Sequence, residues 1–245
     1  MKTMIAFLIA ISAMLAFSAM AVTASMIVPA SESGREHSPV IGANGELDRV
    51  DFIHYAKPPA GSKPGNANSC YKLMGVKWPA LPVAYVINPS NSGLSQAFVT
   101  QAISTSAETW DAATSKELFN NAYSVNYNAK YGVLDQKNSI AFGSYPNSNV
   151  IAVTSVWYTR VGKQIVEFDQ LYNTQFTWGD ATSNPAVMDL QNIATHELGH
   201  SVGLDDIYST LCSDVTMYGY STNGETSKRS LEAADITGLK QIYGA

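Results

Sequence analysis

The stretch 195–206 reads THELGHSVGLDD, and it constrains the chain more than any other segment. His196 and His200 are four residues apart, so on a helix their rings project from one face. Two imidazoles at that spacing can close on one zinc ion at about 2.0–2.1 Å. Glu197, one position along, can reach a water on that metal without ligating it. The segment reads independently as a helix from Asp189 to Val202, with Asp189 fitting the N-cap and Gly203 the stop. A catalytic zinc wants three protein ligands and an open position. The other two histidines, His37 and His54, lie in an N-terminal stretch that reads as separate from the main domain. A carboxylate is therefore the expected third ligand. Gly203 lets the chain leave the helix in a left-handed turn, and Asp206 follows three residues later, ten beyond His196. Asp205 is the rival ligand, its alternative role being a hydrogen-bonded turn residue.

Residues 1–24 begin with Lys2, continue through an apolar run and end in small residues (Val22-Thr23-Ala24). That is the layout of a secretory signal peptide cut after Ala24 or Ala21; an uncleaved membrane anchor is the alternative. No later segment is long and apolar enough to cross a membrane, so the expected product is exported, and free of the membrane once the signal is cut. An oxidising destination suits the two cysteines, Cys70 and Cys212, which are expected to form a disulfide. The formal net charge of -5, with only 14% charged residues, argues against a nucleic-acid partner, which needs a concentrated basic surface.

Residues 25–69 are rich in Ser, Gly, Pro, Asn and charge, with weak apolar periodicity. They read as a pro-segment or linker outside the core. From Cys70 to Ala245 the text reads as one domain. Its order of candidate elements is a strand at 82–87, a helix at 94–113 and strands at 123–127, 139–142, 150–158 and 164–172. The 189–202 helix follows, then a last helix at 231–243 capped by Ser230. This predicts an α+β domain, a sheet with the helices on one side. The strand at 150–158 reads either as an exposed edge that binds an extended peptide by strand addition or equally as an ordinary sheet strand. Trp157, Tyr158 and Tyr220 are candidate pocket aromatics.

The motif resembles the metzincin peptidases, and within them the matrixin-like branch. Their pattern H-E-x-x-H-x-x-G-x-x-H is met at His196, Glu197, His200 and Gly203, with Asp206 where the last His belongs, as in the snapalysins. Met217, in Asp214-Val215-Thr216-Met217-Tyr218-Gly219, resembles the methionine turn that metzincins place beneath the zinc. The segment 231–244 looks like the closing helix of matrixin domains, and Trp110 with Leu118-Phe119 like their first helix and its exit. The resemblance covers about residues 75–245. It implies a twisted mixed sheet of about five strands with three main helices.

It also implies a secreted, monomeric zinc endopeptidase acting on proteins or peptides, with Glu197 taking a proton from the attacking water. No histidines remain in 70–245 for the second, structural zinc of matrixins. Cys70 does not match their latency cysteine segment. Loops rich in carboxylates and carbonyls could also hold calcium, though no EF-hand-like spacing is present. Two other readings compete: a non-catalytic zinc-containing binding module, which the intact Glu197 speaks against, and a peptidase that draws its third ligand from Glu232.

Overall fold

The computed structural model describes residues 35–38, 46–56 and 69–245; the expected signal peptide lies outside the described residues. Seven strands form one mixed sheet. In chain order they are β1 (Arg35–Ser38), β2 (Leu47–Tyr55), β3 (Val86–Asn88), β4 (Ser124–Val125), β5 (Ser139–Gly143), β6 (Val150–Thr159) and β7 (Ile165–Asn173). Across the sheet the order is β1-β2-β6-β7-β5-β3-β4. β4, β3, β5 and β7 are parallel neighbours, whereas β7, β6, β2 and β1 alternate in direction. A short pair, β8 (Trp178–Gly179) and β9 (Met188–Asp189), leads into the second helix. The helices are α1 (Gln96–Asp111), α2 (Leu190–Ser201) and α3 (Ala233–Tyr243). The α+β class and the three helices are as expected. The sheet has two strands more than the expected five, and both come from the N-terminal stretch.

α1 forms because Val99, Ala102, Ile103, Ala107 and Trp110 recur at helical spacing and are all buried, while Ser95 accepts the Phe98 N–H as N-cap. α1 packs on α2. Trp110 Nε1 donates to the Thr195 carbonyl at 2.7 Å, fixing the turn that carries His196. α2 in turn lies across the middle of the sheet, with Thr154 of β6 beneath Glu197 and Gln170 of β7 donating to Ser201 Oγ at 3.0 Å. Asp189 caps α2 through the Asn192 N–H at 2.8 Å and is held by Arg229. α3 differs from expectation at its start. Its cap is Glu232, not Ser230, because Glu232 and Asp235 form a reciprocal capping box.

Residues 47–55 correct the expectation that 25–69 stays outside the core. β2 runs antiparallel to β6 from Leu47 opposite Thr159 to Tyr55 opposite Val150. Val50 and Phe52 enter the main core, and Ile53 and Tyr55 enter a second cluster with Tyr145, Val150, Val153 and Leu171 on the other face. β6 is consequently not an exposed edge: Val150 through Tyr158 are buried. The strand hid in the sequence because both faces carry apolar groups and Arg49 and Asp51 interrupt them. Those two charges satisfy each other at 2.7 Å, and the Arg49 guanidinium also lies 4.9 Å from the Trp157 ring centre.

Cys70 and Cys212 are joined in a disulfide across a separation of 142 residues. The link ties the start of the 69–245 stretch to the loop after α2, where Ile207, Cys212 and Val215 make a small apolar cluster. Chain-entropy arithmetic gives a loop of that length about 5 kcal/mol. Cys212→Ser should therefore lower the urea midpoint, with a loss of about 2–5 kcal/mol measured by equilibrium unfolding under non-reducing conditions.

Candidate metal centre and its neighbouring carboxylate

α2 brings His196 Nε2 and His200 Nε2 to 3.1 Å from each other. Their other nitrogens meet carbonyls: His196 Nδ1 faces Thr216 O at 2.7 Å, and His200 Nδ1 faces Leu204 O at 3.0 Å. A carbonyl can only accept, so each Nδ1 is the donor and each ring turns its Nε2 inward. Gly203 then reverses the chain at φ +98°; a Cβ there would lie 2.5 Å from the Val76 carbonyl oxygen. The turn delivers Asp206, whose Oδ1 lies 3.2 Å from His196 Nε2 and 3.4 Å from His200 Nε2. That oxygen is buried and makes no well-formed hydrogen bond. Its partner Oδ2 accepts from the Tyr208 hydroxyl at 2.8 Å. Burial, then the Asp206 charge, push Tyr208 well above the ordinary phenol range, so it stays a donor.

Two imidazole nitrogens and a carboxylate oxygen thus converge, all buried. Tetrahedral bonds of about 2.0–2.1 Å would set ligand atoms about 3.3 Å apart, close to the separations seen. The donor set therefore fits zinc. Electrostatics without a metal say the same thing. Burial opposes a charged His200, yet the Asp206 carboxylate outweighs it and raises the imidazole; burial likewise opposes ionised Asp206, yet the two imidazoles hold it far below the carboxylate range. The cluster calls for a cation.

The rival ligands stand elsewhere. Asp205 turns its Oδ2 to Arg35 at 2.6 Å and Lys72 at 2.8 Å. Glu232 caps α3. Among the described residues, the clusters with converging donor atoms are His196–His200–Asp206 and His54–His196–Glu197. Two carboxylates of β7 hold a loop: Asp169 accepts N–H groups from Gly132, Val133 and Ser139, and Glu167 those of Asp135 and Gln136.

Met217 is buried directly under α2. A Cβ on Gly199 would lie 2.3 Å from its sulfur and 2.7 Å from the Trp110 ring. Asp235 of α3 accepts the Thr216 and Met217 N–H groups at 2.9 and 3.2 Å, holding the carbonyl that orients His196.

Glu197 is fully buried beside the triad. Its Oε2 accepts from Thr154 Oγ1 at 2.5 Å and its Oε1 from His54 Nδ1 at 3.1 Å. Burial alone would raise this carboxyl, but the His54 hydrogen bond and the nearby imidazoles hold it below its ordinary value. His54 itself is pushed down to about 4 by burial and by His196, which suits a neutral ring. Its Nε2 accepts from Ser221 Oγ at 3.0 Å, and Ser221 accepts from Lys228 Nζ at 3.0 Å. Sequence reasoning missed His54, Thr154, Ser221 and Lys228. For His54 a signal existed, since it is one of four histidines, but its neighbours placed it outside the core. Of the candidate aromatics, Tyr220 lines a cavity of about 290 Å³ with Ala56, Tyr218, Glu225 and Lys228. Trp157 and Tyr158 are buried in the sheet.

A family model described as Matrixin (Peptidase_M10) matches residues 77–244. The chain belongs to the matrixin family. The match takes in β3 through β9 and all three helices, and begins after β2. A hatching enzyme of Paracentrotus lividus is 28% identical to this matrixin domain over 166 residues, which is 67% of this chain and 26% of that protein. The chain thus spans about a quarter of the length of that relative. The family implies zinc, in agreement with the donor set.

The tight stack of Gly199 on Met217 and Trp110 generates a prediction. Gly199→Ala should cost about 1–3 kcal/mol of unfolding free energy and weaken zinc binding, read by denaturant titration and by competition with a chromophoric chelator.

Proposed function

We propose that this matrixin is an exported zinc endopeptidase in which His196, His200 and Asp206 hold the metal and Glu197 is the general base and acid. The single observation behind this reading is the convergence of two Nε2 atoms and a buried carboxylate oxygen without a well-formed hydrogen bond, beside a second carboxylate, Glu197, that is not part of the triad. Bound zinc supplies Lewis-acid polarisation and lowers the pKa of water. Glu197, held ionised, accepts the proton of the water that attacks a peptide carbonyl and delivers it to the departing amine. Thr154 fixes the carboxylate rotamer through Oε2, leaving Oε1 as the proton-carrying oxygen. Met217 and Asp235 act at a distance, by holding the helix floor and the Thr216 carbonyl.

The reading extends to the rest of the chain. Residues 1–24 act as a signal peptide, residues 25–69 as a pro-segment and residues 70–245 as the peptidase domain, a monomer acting on proteins or peptides. Export is supported by the disulfide. Among the described residues no helix is long and apolar enough to cross a membrane.

Metal analysis and a casein assay test the site. Wild-type protein and Glu197→Ala should each retain one zinc per chain, and Asp206→Ala should lose it. Chelator-sensitive casein cleavage, assayed both intact and after limited proteolysis, should fall at least 100-fold in Glu197→Ala. Zinc retained in Asp206→Ala would overturn the ligand assignment, and unchanged cleavage in Glu197→Ala would overturn the role of the carboxylate.

A further inference from the structure

Residues 70–76 lie along the turn that delivers Asp206. They precede the family match, which begins at residue 77. Met74 N–H donates to Gly203 O at 2.9 Å, and Asp205 N–H donates to Lys72 O at 2.9 Å. Leu73 and Leu204 sit opposite each other as an antiparallel pair. The turn therefore alternates. Gly203 and Asp205 bond outward to residues 70–76. Leu204 bonds inward: its N–H donates to Gly199 O at 3.0 Å, and its carbonyl accepts from His200 Nδ1 at 3.0 Å. Asp206 comes next, with its Oδ1 facing the two imidazoles.

Three further contacts anchor residues 70–76. Lys72 Nζ meets Asp205 Oδ2 at 2.8 Å, but the Lys72 side chain is 56% exposed, so this pair adds little. Tyr71 lies against α3: a Cβ on Gly238 would come within 3.2 Å of it, and its hydroxyl accepts from Gln241 Nε2. Cys70 is bonded to Cys212, which is buried between Asp206 and the turn that bears Met217. Ile207 ties these two stretches together: its N–H donates to Met217 O at 2.9 Å, and its carbonyl accepts from Gly219 N–H at 3.0 Å. The loop carrying the third ligand is thus held at its start by main-chain bonds to residues 70–76. Farther along, the same segment holds it by a covalent link.

We infer that residues 70–76 are a clasp that builds the third-ligand position, that Cys70 and Cys212 are positioning residues for the metal, and that closing their disulfide gives the chain its full zinc affinity. The inference rests on the assignment of Asp206 as a ligand. His196 and His200 need no clasp, because one helix sets both. Asp206 stands on a loop, and a loop ligand binds tightly only where its geometry is fixed beforehand. Two equivalents of a thiol open the clasp by exchange. Cys70 and Cys212 together gain two electrons and two protons, and the thiols leave as their own disulfide. The loop after Asp206 then keeps only its non-covalent contacts, and the carboxylate is free to drift from the imidazoles. An oxidising compartment therefore completes the metal site, and a reducing one leaves it with two well-placed ligands.

The test uses the full chain stripped of metal. Zinc affinity is measured by competition with a chromophoric chelator, and the visible spectrum is recorded with cobalt(II) as the probe. The double variant Cys70→Ser, Cys212→Ser should bind zinc at least about 10-fold more weakly than the oxidised wild type. Wild type that is reduced by a thiol, capped with iodoacetamide and desalted should weaken to the same degree. In both, the cobalt spectrum should lose the strong visible bands of a four-coordinate site. Val83→Ala, a core substitution away from the clasp, lowers stability as a control and should leave affinity and spectrum unchanged. Tyr71→Ala keeps the disulfide and removes the anchor on α3, so it should weaken zinc in the same direction. It decides the matter if circular dichroism shows the serine variant unfolded. Affinity within about 2-fold of wild type in the folded serine variant, or an equal loss in Val83→Ala, would overturn the inference. Zinc retained in Asp206→Ala would instead sink the ligand assignment beneath it.

Discussion

Three buried acceptors aimed at one point govern this molecule. His196 Nε2, His200 Nε2 and Asp206 Oδ1 lie 3.1 to 3.4 Å apart. Left to themselves, such groups repel and are costly to bury. Their positions persist because each is held from behind. Thr216 O and Leu204 O fix the two rings, and Tyr208 fixes the carboxylate. The outer layer continues to Asp235 of α3, which holds the Thr216 turn, and to Trp110 of α1, which holds the helix turn bearing His196. All three helices therefore serve one constellation, and the sheet beneath supplies Thr154 to the remaining carboxylate.

Asp206 in place of a third imidazole changes the charge of this centre. With the proposed ligands, two neutral rings and one carboxylate would leave a divalent cation with a net single positive charge, and its pull on a water would be weaker than with three neutral ligands. The neighbouring charges are sorted accordingly. Asp205, adjacent in sequence, is turned away and paired with Arg35 and Lys72. One carboxylate at the turn thus faces the two imidazoles, and the other, also buried, is neutralised by two cations.

Much of this was legible from residue types and spacing. The helix, its Asp189 cap and the Gly203 reversal all follow from local rules, because each acts over fewer than a dozen residues. The disulfide followed from there being two cysteines. What was illegible was long-range. β2 carries apolar groups on both faces and a mutually paired Arg49–Asp51, so it lacks the one-sided alternation that marks a half-buried strand. Its partner, β6, was recognised as a strand but assigned an open edge, because pairing across about a hundred residues leaves no local mark. The same distance concealed His54, whose two hydrogen bonds go to Glu197 and Ser221. The shift of the α3 cap from Ser230 to Glu232 is smaller in kind: two acidic residues three apart outcompeted a serine that the helix did not reach.

β2 also shows how stability and activity draw on one surface. A strand that adds Val50 and Phe52 to the main core, and Ile53 and Tyr55 to the opposite face, contributes apolar burial on both sides of β6. Its even-numbered residues, 52 and 54, are the ones that touch His200 and Glu197. Packing and occlusion are therefore inseparable along this segment, since the face that fills the core is also the face that covers the centre. Weakening the strand would open the site only by giving up core contacts.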